Sequence, residues 1–222
     1  MDKRILISIV TIDRDAHLIP RLYASIQHYL SKRNINLLVV CRESDINCQR
    51  EWKIPKTVIK TVPHYEILAR HNLDKISEQR NICMNYARKH KYDYLLFLDS
   101  DIIIQSNTLE ILLEGCEKYG ADICVVPYFI KGLGYNAIGK FTSSGMIKLK
   151  EIKNTETAIK YKKGAGGMGC TLIKKSLFHI PFKVSIIETT DNWKILSEDV
   201  GFYLQLREYD CKYVKNHIIE HL

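Results

Sequence analysis

Residues Tyr94 to Ile104 read Tyr-Leu-Leu-Phe-Leu-Asp-Ser-Asp-Ile-Ile-Ile, an apolar run that delivers two aspartates, Asp99 and Asp101, at its end. Such a run predicts a strand buried on both faces, as in parallel sheets. Side chains alternate along a strand, so acids two positions apart leave it on one side and repel each other unless a cation sits between them. Spacing alone does not decide the matter. Asp13 and Asp15 repeat it, and the pair at 99 and 101 also suits a cap for a helix starting near Ser106, or a solvated loop.

Working outward, the apolar, β-branched runs Arg4 to Val10, Asn36 to Cys41 and Thr57 to Val62 predict three further strands, the last closed by Pro63. Between the first two, Leu18, Leu22, Ile26 and Tyr29 recur at helical spacing, predicting a helix from His17 to Leu30. Asp74 is placed to cap a helix reaching His90, with Ile76, Cys83 and Ala87 on one stripe. A strand at Asp93 to Leu98, a helix at Thr108 to Tyr119 and a strand at Ala121 to Pro127 continue the alternation. The fold class is therefore α/β, with a mainly parallel central sheet flanked by helices.

After Pro127 the pattern loosens. Short strand-like stretches and the segment Gly164-Ala-Gly-Gly-Met-Gly169 predict loops at strand ends and one flexible stretch, before a final helix from Glu198 to Tyr209 and a strand at Lys212 to Val214. Ligands of open α/β sheets bind beyond the carboxyl ends of the strands, where Asp13, Asp99 and Asp101 all fall. No GxGxxG or GxxxxGK[ST] segment accompanies them, which weighs against dinucleotide and P-loop chemistry.

With 222 residues, 46% of them hydrophobic and 26% charged, one domain is expected over 1–222. The amino terminus has neither the apolar length nor the cleavage site of a secretory signal, and a cytoplasmic protein is expected. Seven cysteines, an odd number without a CxxC pair, read as reduced core residues instead of a zinc site or disulfide framework. The net charge of +8 invites an anionic partner, a phosphorylated donor or the cytoplasmic face of a membrane. The lysines are nevertheless scattered, with one tight cluster at Lys160-Tyr-Lys-Lys163, and nucleic acid is not expected.

Taken in order, these segments resemble the GT-A fold glycosyltransferases similar to family 2, over nearly the whole chain. Thr11-Ile-Asp-Arg14 resembles the family's nucleotide-binding turn, and Gln79-Arg-Asn81 the segment that precedes its metal-binding acids. Asp99-Ser-Asp101 matches the DxD motif, Gly166-Gly-Met-Gly169 the glycine segment lining donor and acceptor, and Ser197-Glu-Asp-Val200 the motif carrying the catalytic base. His221 occupies the place of a metal-binding histidine in many relatives. Two departures stand out. Cys41-Arg42-Glu43-Ser44 replaces an acidic pair used to recognise uracil, leaving Glu43 and Asp45 as weak substitutes, and Cys83 replaces a usual glycine.

The resemblance implies a metal-dependent, inverting transfer of a sugar from a nucleoside diphosphate to an acceptor hydroxyl on a glycan, lipid carrier or protein. The segment 1–127 would be the nucleotide-sugar-binding half and 128–222 the acceptor and catalytic half. Mn²⁺ or Mg²⁺ would be held by Asp99, Asp101 and His221, with His217 as the alternative histidine. The donor would be held by Thr11, Asp13, Arg14, Arg80, Asp99, Gly166 and Gly167. Asp199 is the expected base and Glu198 its runner-up, although acids at a helix start also serve as ordinary caps. Trp193 would stack on an acceptor sugar or anchor its loop, and the glycine segment with Lys160, Lys162 and Lys163 would close on the donor. A sugar nucleotidyltransferase lacks support, because its glycine-rich basic signature is absent near the amino terminus; a non-catalytic basic binding module rests on charge alone.

Overall fold

The parallel pairing of two apolar strands, Ile5–Val10 (β1) and Tyr94–Asp99 (β4 in chain order), sets Val10 opposite Asp99 and so brings two turns together at one edge. The computed structural model describes residues 3–63, 72–128, 138–142, 145–148, 158–162, 164–188, 193–206, 209–214 and 219–221. Between β1 and β4 lie α1 (Ile19–Leu30), β2 (Ile35–Arg42), α2 (Ile46–Glu51), β3 (Thr57–Val62) and α3 (Asn72–Lys89). Then follow β5 (Ile102–Ile103), α4 (Thr108–Glu117), β6 (Ile123–Val125), β7 (Ile138–Thr142), β8 (Gly145–Lys148), β9 (Ala158–Lys162), β10 (Gly164–Gly166) and β11 (Cys170–Lys174). The chain closes with β12 (Ser185–Glu188), β13 (Trp193–Leu196), α5 (Glu198–Gln205), β14 (Asp210–Val214) and β15 (Glu220–His221).

The central sheet has eight strands in the order β3-β2-β1-β4-β11-β6-β14-β9. Strands β3, β2, β1 and β4 are mutually parallel, β11 runs against both β4 and β6, β14 follows β6, and β9 reverses again. Most of the sheet therefore shares one direction, with β11 and β9 opposed. Three small sheets surround it, β10-β7-β8, β12-β13 and β15-β5.

Alternation along the strands divides the core in two. Ile5, Ile7 and Ile9 face the layer of α1 and α4, packing with Leu22, Ile26, Leu109 and Leu112. Leu6, Leu38, Val40, Leu95 and Phe97 face the layer of α3 and α5, packing with Cys83, Met84, Ala87, Phe202 and Tyr203. Burial on both faces is why β1, β2 and β4 carry near-continuous apolar runs. All seven cysteines are buried and none is in a disulfide, as their apolar contexts imply.

Several boundaries differ from the periodicity. A 3-10 turn, Asp13–Leu18, precedes α1, and α3 starts at Asn72, so Asp74 sits in its first turn instead of capping it. Helix α5 ends at Gln205, where Leu206 turns extended. The glycine segment expected as an open, flexible loop instead contributes β10, paired with β7, and a turn into β11. Lys163 and His217 lie outside the described residues.

At the end of α3 the backbone forms a Schellman closure: Tyr92 N–H bonds Ala87 O at 3.0 Å and Lys91 N–H bonds Arg88 O at 3.2 Å. This requires Lys91 at φ 58°, a left-handed conformation that costs a residue with Cβ on the order of 1 kcal/mol. Lys91→Gly is expected to raise unfolding stability by about 0.5 to 1 kcal/mol in urea melts without changing their slope.

Candidate active site

Strand β4 ends on Asp99, and Ser100 and Asp101 form a turn before β5, so Asp101 leaves from a turn and not from a continued strand. Ser100 donates to Asp15 Oδ2 at 3.0 Å, fastening this turn to the one after β1. There, Thr11 is buried, its N–H bonding Val40 O at 3.1 Å. Asp13 receives the Cys48 N–H at 2.9 Å and Asn47 Nδ2 at 3.1 Å, so it caps α2 from outside that helix. Arg14 is exposed and pairs with Asp15 at 3.1 Å. Asp45 accepts the Arg42 N–H at 2.8 Å and is buried in the turn after β2, whereas Glu43 is exposed.

The reversed strand β11 supplies the opposite wall. In its register Cys170 faces Leu98, and Asp99 N–H bonds Gly169 O at 2.9 Å. Gly169 lies so close to Tyr128 that a Cβ there would sit 2.8 Å from the ring, which requires glycine. Burial, with Asp99 and Asp199 nearby, pushes the Tyr128 hydroxyl well above its ordinary range. One residue earlier, Met168 N–H donates to Asp199 Oδ2 at 3.3 Å. The segment 166–169 thus runs between the acid that ends β4 and the acid pair that begins α5.

Arg80, on α3, joins those acids. Its side chain is only 6% exposed; Nη2 lies 3.3 Å from Asp99 Oδ1 and 3.8 Å from Asp199 Oδ1, and Nε lies 3.4 Å from Glu198 Oε1. The guanidinium rests over Phe97 at 5.4 Å and Phe182 at 5.7 Å. Phe182 in turn stacks on Phe202 at 4.6 Å, and it is seated by Asn81, whose amide gives to Phe182 O at 2.8 Å and accepts Phe182 N–H at 2.7 Å. Burial opposes the charge on Arg80, but Asp199, Asp99 and Glu198 outweigh it and raise its pKa.

Glu198 and Asp199, adjacent in the first turn of α5, have different surroundings. Glu198 is 4% exposed, and burial followed by the nearby Asp199 pushes its carboxyl up to about 8, against the pull of Arg80. Burial thus favours its neutral form. The Asp199 side chain is 22% exposed; its Oδ1 is buried toward Arg80 without a hydrogen bond, and its Oδ2 accepts the Met168 N–H.

The pairing of β15 with β5 sets the His221 backbone opposite Ile102, next in sequence to Asp101. The side chains of His221 and Trp193 lie outside the described set. Among the described residues no group of three His, Cys, Asp or Glu side chains forms a metal cluster. Asp99 and Asp101 supply two oxygen-bearing residues, and the sheet register puts the His221 position beside them. Carboxylate oxygens such as those of Asp99 and Asp101 are the donors that hard divalent cations take.

Of the sequence-predicted residues, the structure gathers Asp99, Arg80, Glu198, Asp199, Gly166 and Gly167 around one cluster, with Asp101 at its edge, and assigns Asp13 to a helix cap. Sequence reasoning missed Tyr128 and Phe182, and it quoted Asn81 within the Gln79-Arg-Asn81 segment without a role of its own.

The model of the family described as Glycosyl transferase family 2 matches residues 7–179. No curated protein matches the sequence. Among solved structures, S. aureus TarS 1–349 in complex with UDP is similar at a TM-score of 0.60 and 15% identity, covering 99% of this chain and 60% of that one. The same protein in complex with UDP-GlcNAc is similar at 0.54 and 15%, covering 98% and 60%. The chain thus spans about 60% of the length of these structures, which share its fold.

A carboxyl whose pKa is raised from 4.5 to about 8 by folding contributes stability that is fully present below 4.5 and is lost as pH rises to about 8. Glu198→Gln removes that contribution's pH dependence. Its melting temperature is expected to gain on wild type progressively between pH 5 and 8 in calorimetry, and a constant difference would refute the neutral, buried Glu198.

Proposed function

The chain belongs to glycosyl transferase family 2, and from that premise we propose a metal-dependent, inverting transfer of a sugar from a nucleoside diphosphate to an acceptor hydroxyl. The observation that carries it is the single guanidinium of Arg80 joining the acid at the end of β4 to the acid at the start of α5. A donor-side and an acceptor-side carboxylate are thereby held on one cleft. The donor class is that of the UDP and UDP-GlcNAc complexes of TarS, which share the fold.

In this reading Thr11, Asp13 and Arg14 border the nucleotide end and Gly166 and Gly167 the sugar. Glycines on β10 and its following turn permit close backbone approach. Asp99, Asp101 and His221 would hold Mn²⁺ or Mg²⁺, which when bound offsets the charge gained by the leaving diphosphate. The acceptor oxygen attacks the anomeric carbon on the face opposite the diphosphate. The new C–O bond forms as the old one breaks, its electron pair leaves with the diphosphate, and the acceptor proton passes to Asp199 Oδ2. Asp199 is preferred to Glu198 because its side chain is the more exposed of the two, 22% against 5%, while burial favours the neutral form of Glu198. A single base with no second carboxylate placed as nucleophile supports inversion.

The acceptor is a glycan, a lipid-linked sugar or a protein, and the excess of basic residues is compatible with peripheral binding to an anionic membrane on the cytoplasmic side. No described helix is long and apolar enough to cross a membrane.

Incubation with UDP-, GDP- and TDP-sugars and Mn²⁺ should give slow donor hydrolysis, fastest with one UDP-sugar and abolished by chelation. Asp101→Ala is expected to lower turnover at least ~100-fold, and Asp199→Asn about 100- to 1,000-fold with donor affinity retained. If Asp199→Asn turns over at the wild-type rate, the base assignment fails.

A further inference from the structure

The Arg80 side chain is 6% exposed, yet it carries a guanidinium that faces three carboxylates and two aromatic rings. A surface cation for long-range attraction of phosphate needs no such enclosure. The geometry points to Arg80 as a positioning residue that fixes the catalytic carboxylate of Asp199 by linking it to the acid at the end of β4. This rests on the transfer reaction proposed above and adds a residue that acts through the base.

Asp199 has a hydrogen bond at Oδ2 and a charge contact without one at Oδ1. The buried Oδ1 faces Arg80 Nη2 at 3.8 Å, and Oδ2 accepts the Met168 N–H at 3.3 Å. With χ1 and χ2 free, a carboxylate in the first turn of a helix swings toward solvent; two cationic or dipolar contacts from different directions hold it to one orientation. The Met168 amide is fixed by the entry into β11, and Arg80 by α3 and the rings below it. The two restraints therefore come from elements other than α5.

The same Nη2 is shared with Asp99 Oδ1 at 3.3 Å. The donor-side acid and the acceptor-side base thus meet on one nitrogen, so the distance across the cleft is set by a guanidinium instead of by two independent loops. Glu198 lies 3.4 Å from Nε of the same guanidinium, as a charge contact without a hydrogen bond. A planar, delocalised guanidinium spreads its charge toward acids on two sides; an ammonium on a flexible stem offers one point charge. The charged and titratable groups facing Asp199 are Arg80 from α3, Asp99 from β4, Glu198 from its own helix and Tyr128 after β6.

Three measurements on Arg80→Lys and Arg80→Ala test this, with Arg80→Ala/Glu198→Gln as the form that leaves one fewer acid unpaired if the alanine variant folds poorly. In ligand-free protein, hydrogen exchange at the Met168 amide should speed at least ~10-fold in Arg80→Lys while amides of β1 keep their protection. In turnover, kcat should fall at least ~10-fold in Arg80→Lys and about 1,000-fold in Arg80→Ala, while UDP affinity in the presence of Mn²⁺, read by calorimetry, stays within about 3-fold. Added guanidinium should recover at least ~10-fold of the Arg80→Ala loss and leave Arg80→Lys unchanged. Unchanged Met168 exchange overturns the assignment even if no donor is ever turned over. A loss of UDP affinity that accounts for the loss of turnover overturns it as well, by making Arg80 a donor ligand. Wild-type protein inert toward every donor would sink the transfer reaction, and the exchange result would then decide by itself whether Arg80 orders Asp199.

Discussion

One buried cation surrounded by three carboxylates is the constraint on which the site depends. An uncompensated carboxylate in a low-dielectric interior is costly, and Asp99, Glu198 and Asp199 arrive from two distant parts of the chain. Arg80 makes their approach tolerable, and burial, which favours the neutral form of Glu198, lessens the negative charge gathered around it. The aromatic floor of Phe97, Phe182 and Phe202 keeps water from taking that role. The packing of α3 against α5 follows from this cluster as much as from apolar contact.

The reversal of β11 gives the cluster its second wall. Next to a parallel neighbour, β4 would meet another carboxyl end and another outgoing turn. An antiparallel neighbour instead presents its entering segment at that edge, so residues 166–169 pass directly over Asp99. Backbone groups there have defined partners, since Gly169 O satisfies the Asp99 N–H and Met168 N–H orients Asp199. The steric preference for glycine at 169 comes from Tyr128, which follows β6.

The first half of the fold was readable because β1, β2 and β4 are buried on both faces and its helices on one. β1, β3 and β4 lie within a residue or so of the apolar runs that predict them. Helix α2 and strand β5 were not readable. Six and two residues long, they exist through contacts made elsewhere, Asp13 on the Cys48 amide and β15 on β5. The run Cys-Thr-Leu-Ile-Lys of β11 announces a strand but carries no sign of its direction. Within the site, acids were legible by type and position in order. The contacts of Arg80 were not, because the sequence offers it as a donor-binding residue and shows nothing of the acids that β4 and α5 bring against it.

The two acids that open α5 show how a short local pattern divides labour. Successive residues on a helix point about 100° apart, so adjacent acids in a first turn cannot share one environment when one side of the helix is packed. Glu198 turns toward α3 and the core, where burial favours its neutral form; Asp199 turns toward the turn before β11, where an amide and a guanidinium meet its two oxygens. A single acid at either position would leave Arg80 with a poorer match or the cleft without an open carboxylate. The order, the longer acid first and the shorter second, suits the distances, because the glutamate spans to Nε beneath the helix while the aspartate stays close to the backbone that aims it.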